Sequence, residues 1–301
     1  MRPLVVHTAH APPRESVTDY SHSRLSSFEE CPRKFKFRYV DEIKVDTEGV
    51  EAFMGKRVHE ILERLYHHVA RHAKPPSLSQ VLERFRQDWA RAWHEKVMIV
   101  RIENSPEYYR DRGAQCLENF YRRHYPFDHD ETLGLEHPVR LQLDDEGRYR
   151  ARGIVDRVAR RRDGVFEIHD YKTSGFLPHQ RRIDEDRQLA LYQIGLAQSY
   201  PEAREFELVW HYLVFNKTLR SHRTPEALDK LRGETVALID AIESESEYKP
   251  RPGPLCRWCD YADLCPEAPE EARAVARARP PLIPEAAPAP ATGLQLALLL
   301  D

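Results

Sequence analysis

Three side chains in the middle of the chain have the types and spacing needed to work together on a phosphodiester. Asp156 closes the run Gly153-Ile154-Val155-Asp156, and Glu167-Ile168-His169-Asp170-Tyr171-Lys172 follows the turn-forming pair Asp163–Gly164. Asp170 and Lys172 are two apart, so on a strand both project from one face, and a short hairpin brings Asp156 beside them. Two carboxylates suit a hard divalent cation such as Mg²⁺ or Mn²⁺, which polarises a phosphodiester and acidifies an attacking water. Lys172 would position that water or offset charge developing on the phosphate.

Cysteines form the second constellation. Cys256, Cys259 and Cys265 make a C-x2-C-x5-C group, and Cys31 lies 225 residues upstream of the first of them (256 − 31) in Glu-Glu-Cys-Pro. In a cytosolic protein such a grouping points to a metal site rather than to disulfides. Four thiolates can hold zinc or a [4Fe–4S] cluster, and spacing does not settle which. One ligand remote from a tight trio suits a group that closes the fold, whereas zinc sites more often consist of two paired knuckles. Cys116, beside Leu117 and Phe120, reads as a small buried residue.

The elements that must position these groups follow from periodicity. From Ser23, a plausible N-cap, apolar positions Leu25, Phe28, Phe35 and Tyr39 recur at helical spacing, interrupted near Pro32. Amphipathic helices are predicted over 52–71, 78–96 and 107–123. Three strands follow, over 138–143, 149–159 and 165–171. A helix over 184–200, a strand over 206–215 and a helix over 225–247 complete the order. Helices first and hairpins next imply a mixed sheet covered by helices. Residues 266–292 hold 7 Pro and 9 Ala, and read as a semi-rigid linker with a brief helix at 270–279.

Whole-chain properties set weaker bounds. At 301 residues and 41% hydrophobic, the chain can bury a genuine core. It contains no apolar run of membrane-spanning or signal-peptide length, so a soluble, cytoplasmic protein with no membrane partner is expected. A formal charge of −3 does not by itself mark a nucleic-acid binder. Local basic clusters occur at Arg33–Lys34–Lys36–Arg38, Arg157–Arg160–Arg161–Arg162 and Arg181–Arg182–Arg187.

The Asp156 and Asp170-x-Lys172 elements resemble the signature of the PD-(D/E)XK nucleases, with Ile154-Val155 where the signature's name has Pro. Two further elements are similar to the RecB-like branch, which includes the exonucleases of CRISPR adaptation and of recombination helicase–nucleases. These are Gly55-Lys-Arg-Val-His59, ahead of the sheet, and Gln188-Leu-Ala-Leu-Tyr192, after it. The resemblance implies an α/β, restriction-endonuclease-like mixed sheet flanked by helices, with an N-terminal helical layer and a C-terminal Cys-rich loop. It implies a metal shell of His59, Asp156, Asp170 and the Tyr171 backbone carbonyl; imidazole fits Mn²⁺ better than Mg²⁺. Gln188 and Tyr192, four apart on one helical face, are implied to touch the DNA strand and order the site. Residues 23–40 resemble the branch's opening segment, and its one-plus-three cysteine distribution implies a [4Fe–4S] cluster on Cys31, Cys256, Cys259 and Cys265.

The expected organisation is a flexible N-terminus over 1–20, a nuclease domain over 21–265, the linker over 266–292 and an apolar peptide over 293–301. Within the last, Gln295-Leu-Ala-Leu-Leu299 resembles the peptide by which bacterial DNA-processing proteins dock on the sliding clamp. The function implied is a metal-dependent exonuclease on single-stranded DNA or DNA ends, in repair or recombination. A nuclease of CRISPR spacer acquisition and a non-cleaving iron–sulfur scaffold are the alternatives, and these motifs do not separate DNA from RNA. No phosphate loop G-x-x-x-x-G-K-[ST] occurs, so unwinding would fall to a helicase partner.

Overall fold

Val50, Phe53, Met54, Val58, Ile61, Leu62 and Leu65 lie three and four residues apart, and all are buried on one stripe of a 22-residue helix. That helix anchors the layer from which the site is approached. The computed structural model describes residues 19–72 and 74–277. The segment 1–18, Ala73 and residues 278–301, which include most of the Pro/Ala-rich stretch and the peptide Gln295–Leu299, lie outside the described residues.

The described chain opens with β1 (Asp19–Tyr20), α1 (His22–Glu30) and α2 (Pro32–Phe35), the last running on as a π turn over Lys36–Val40. Ser21, not Ser23, caps α1: its backbone is extended and its hydroxyl accepts the Arg24 N–H three residues on. Cys31 is the extended residue between α1 and α2, and Pro32, with no N–H to leave unpaired, starts the second. Next come β2 (Glu48–Gly49), α3 (Val50–Arg71), α4 (Leu78–Ala92), β3 (Val97–Met98) and α5 (Pro106–His124). A Ser77–Gln80 capping box starts α4, which stops at Ala92 instead of continuing to 96 because Trp93 turns extended.

The sheet comprises β4 (Asp130–Gln142), β5 (Arg150–Arg161), β6 (Phe166–Lys172), β7 (Phe206–Tyr212) and β8 (Lys217–Ser221) in that spatial order, with β1 alongside the start of β5. β4, β5 and β6 are antiparallel, β6 and β7 are parallel, and β8 is antiparallel to β7. The tight β5–β6 turn uses Gly164 at φ +92. Between β6 and β7, the helix expected over 184–200 is two helices, α6 (Gln180–Asp184) and α7 (Arg187–Ser199). Asp186 separates them by capping the second, accepting the Gln188 N–H. β8 was not anticipated, because Leu219 is its single large apolar residue and an edge strand needs no alternating pattern. α8 (Pro225–Ser244) and α9 (Glu270–Arg277) complete the chain.

The result is a mixed sheet flanked by helices. One face, including Tyr171, packs on α3, α4 and α5; the other packs on α7, α8 and α1. The head of the Pro/Ala-rich stretch docks as well. Ala268, Ala272 and Ala276, four apart, are buried with Ala262 against Cys256, Cys259 and Cys265.

A buried polar network lies under the face that carries Tyr171. Arg157, only 1% exposed, forks onto Asp130 at 2.6 and 2.9 Å and contacts His169 at 2.9 Å. His169 in turn meets His211 at 2.9 Å, and His124 packs on the His211 ring. Burial, helped by the Arg157 charge, holds His169 down at about 4. Burial likewise lowers His124 to about 3 and depresses His211. Between pH 6.5 and 4 the unfolded chain therefore takes up protons that the folded chain refuses, so stability falls as pH falls through that window. His169 alone is expected to cost about 3 kcal/mol by pH 4. Burial pushes Asp170 the opposite way and offsets part of this. Denaturant midpoints at pH 6.5 and 4.5 check it: a clear fall is expected, and equal midpoints would contradict the neutral-histidine network.

Candidate metal centre

Strand pairing between β5 and β6 runs from Arg160↔Phe166 to Arg157↔His169 and then ends. Asp156 and Asp170, next in register, are thus opposed where the two strands part. In place of a ladder bond, Asp156 Oδ2 accepts the Tyr171 N–H at 2.6 Å. The Tyr171 carbonyl faces α3, where His59 Nε2 lies 2.7 Å from it, while His59 Nδ1 is 3.4 Å from Asp156 Oδ1. Burial works against a charged His59, but the hydrogen bond and charge of Asp156, with Asp170 behind, raise it to about 9. His59 therefore carries a proton here and donates it to the Tyr171 carbonyl, so a cation bound by both atoms must displace that proton.

Asp170 and Lys172 leave β6 on the α7 side. Lys172 Nζ is 2.8 Å from Asp170 Oδ2 and donates to Gln188 Oε1 at 2.9 Å. Burial pushes the Asp170 carboxyl up, against the pull of Lys172 and with the Asp156 charge adding to it. Burial opposes the Lys172 ammonium too, but the Asp170 carboxylate holds its pKa above the ordinary value. Asp170 is 5% exposed; its Oδ1 accepts from the Lys172 ammonium at 3.0 Å, and its Oδ2 lies 2.8 Å from the same ammonium outside hydrogen-bond geometry. A carboxylate so paired keeps lone pairs that a cation could take.

One helical turn on from Gln188, Tyr192 is 7% exposed, the pKa of its hydroxyl raised by burial against the pull of Gln188. Tyr192 lies against Gly153: a Cβ there would fall 2.1 Å from its ring. The glycine three residues before Asp156 and the tyrosine four after Gln188 are thus halves of one contact. Gly153→Ala should lower stability by about 1–3 kcal/mol and slow any cleavage by shifting Tyr192 and Gln188; an unperturbed denaturation midpoint and rate would refute the contact.

Glu136 was not singled out from the sequence. It lies on β4 in register with Asp156, between Leu135↔Arg157 and His137↔Val155, with φ +42. Its carboxylate, His59 and Asp156 bring ligand atoms within 4.8 Å of one another. Only the β4 register places it there, and no local motif could have revealed it. A cleft of about 540 Å³ opens beside these groups, lined by Glu51, Glu60, Glu63 and Glu136 with Lys56, His59 and Thr173.

Arg157, counted above with a basic cluster, is spent inside the protein on Asp130. Arg160 and Arg161 pair with Glu131 and Asp163. Beyond α1, whose Glu29 pairs with Arg187 at the start of α7, Cys31, Cys256, Cys259 and Cys265 line one cavity of about 290 Å³. The loop after α8 reaches back to it, with the Arg251 guanidinium donating to the Glu29 carbonyl at 2.6 Å and the Tyr261 hydroxyl to the Ile43 carbonyl at 3.0 Å. Cys116 is fully buried away from them, in the α3–α5 core.

A mixed sheet of this order, flanked by helices on both faces, is a restriction-endonuclease-like α/β domain. The chain matches the PD-(D/E)XK nuclease superfamily over residues 19–266 and belongs to it. Its members are metal-dependent nucleases acting on DNA, with divalent metals such as Mg²⁺ or Mn²⁺. No curated protein matches the chain. Among solved structures, one titled "Crystal structure of SSO0001" is similar at 16% identity, over 79% of this chain and 95% of that chain, with a TM-score of 0.30, a likeness too loose to carry an argument. No helix among the described residues is long and apolar enough to cross a membrane.

Proposed function

We propose that this protein is a RecB-like deoxyribonuclease that removes nucleotides from single-stranded DNA or DNA ends, in repair or recombination in the cytoplasm. One observation carries the reading. His59, Asp156 and Glu136 bring ligand atoms together where β5 and β6 part, the Tyr171 carbonyl lies against His59, and Asp170, whose charge acts on both His59 and Asp156, is paired with a Lys172 that Gln188 holds. His59, Asp156, Asp170 and the Tyr171 carbonyl would hold Mg²⁺ or Mn²⁺. The cation supplies positive charge to the scissile phosphate and to the attacking water. Lys172 orients that water and balances charge on the phosphate, Gln188 aims Lys172, and Tyr192 braces Gln188. The acidic cleft wall repels a phosphate backbone until a cation is bound, which ties substrate entry to metal loading.

The four cysteines are assigned to a [4Fe–4S] cluster. Their one-plus-three distribution along the chain, with all four lining one cavity, supports this assignment. The nuclease domain then runs from β1, paired with β5, to α9, packed on the cysteine unit, and the cluster would tie its two ends together. The terminal peptide Gln295–Leu299 is assigned to the sliding clamp and strand separation to a helicase partner. Anaerobically purified protein should carry iron and acid-labile sulfide, and should degrade linear single strands while sparing covalently closed circles of the same sequence. Nicking of the circles at a comparable rate would make it an endonuclease, and stoichiometric zinc without iron would remove the cluster.

A further inference from the structure

The loop over residues 173–179 leaves Lys172 directly and rims the metal-side cleft, which Thr173 lines. It is a held loop. Leu177 packs against the sheet core, Pro178 is buried, and the Ser174 hydroxyl donates to the Phe176 carbonyl at 3.2 Å. Yet between these anchors Phe176 is turned outward, 57% exposed. The Arg182 guanidinium, from α6, lies over its ring at 5.6 Å. On the α5 side, the Arg112 guanidinium sits against Gly175 and donates to the hydroxyl of Tyr108, itself 44% exposed.

Phe176 is four Cα–Cα steps from Lys172, a reach of at most about 14 Å. A rigidly mounted aromatic ring with a guanidinium on it is the combination that receives nucleobases, because every base has a π-face and the arginine adds both stacking and phosphate attraction. In a duplex those faces are occupied by neighbouring base pairs. Only an unpaired or terminal base offers one.

We infer that Phe176, with Arg182, is a base-stacking platform that holds an unpaired base of the substrate strand beside the scissile phosphate, and so selects single-stranded DNA. The inference rests on the nuclease reading and adds the substrate determinant to it. The platform is tested with fluorescein-labelled oligothymidine and a blunt hairpin duplex, titrated by anisotropy with Ca²⁺ in place of Mg²⁺, using the full chain and Phe176→Ala, Phe176→Leu and Phe176→Trp. Loss of one stacked base predicts roughly 5- to 150-fold weaker oligothymidine binding by Phe176→Ala. Phe176→Leu should lose as much, since apolar area without a π-face does not stack. Phe176→Trp should bind like the parent, and oligothymidine should quench its added emission. Parental affinity in the alanine or leucine variant, or an unquenched tryptophan in a bound complex, overturns the platform. Cleavage by the parent chain with Mn²⁺ is followed separately: if it persists, the nuclease reading stands without the platform, and if the parent neither binds nor cleaves, both fall.

Discussion

Asp170→Asn is expected to lower DNA cleavage roughly 10³-fold or more, while leaving the unfolding free energy within about 1 kcal/mol of the parent. The first effect follows from replacing a charged oxygen ligand with a neutral amide at a buried position. Asp170 is 5% exposed and shares the site with the Asp156 charge, which an amide at 170 would leave to act alone. The second effect is a near-cancellation. Removing the charge relieves burial and repulsion from Asp156, but leaves Lys172 without the carboxylate 2.8 Å away. Gln188 still accepts from that ammonium, which limits the loss. Initial rates on labelled DNA and a urea midpoint test both halves. A variant that keeps a tenth of the parental rate would show that Asp170 is not a ligand, and a variant that unfolds would show that the pair is structural.

The second large effect concerns the cysteines. If one group binds Cys31 together with Cys256, it closes a loop of 225 residues. By the chain-entropy relation for such a closure, that stabilises the fold by up to about 5 kcal/mol. Cys31→Ser should therefore lose iron and lower the thermal midpoint by roughly 10 °C. Contacts already joining the two ends without metal, Arg251 to Glu29 and Tyr261 to Ile43, make 5 kcal/mol an upper bound. They also predict that the first region to open is the loop and α9, whose alanines pack only on this unit. Hydrogen exchange would show it as early loss of protection over 250–277. Unchanged iron content and midpoint in Cys31→Ser would break the link between the two ends.

Much of the site was legible because its groups are local in sequence. Asp170 and Lys172 share a strand face, Gln188 and Tyr192 share a helix face, and Asp163–Gly164 turns β5 toward β6. These are short-range consequences of period 2 and period 3.6. The mixed sheet was legible for the same reason, apart from β8, whose Lys217-Thr-Leu-Arg-Ser carries no alternation. What was missed depends on distant partners. Glu136 reaches the metal side only through the β4–β5 register. Arg157 reads as a surface cation until Asp130, 27 residues earlier, is seen to bury it. Phe176 reads as ordinary loop until its neighbours Leu177 and Pro178 are found anchored and its ring left outside.

The most direct test of the central claim is cleavage of a 5′-labelled linear single strand by the full, anaerobically purified chain, with Mg²⁺, with Mn²⁺ and with EDTA. Degradation with either cation, absent in EDTA and in Asp170→Asn and Lys172→Ala, is the predicted result. Intact DNA under every condition, from folded protein with its cysteine site loaded, would contradict it.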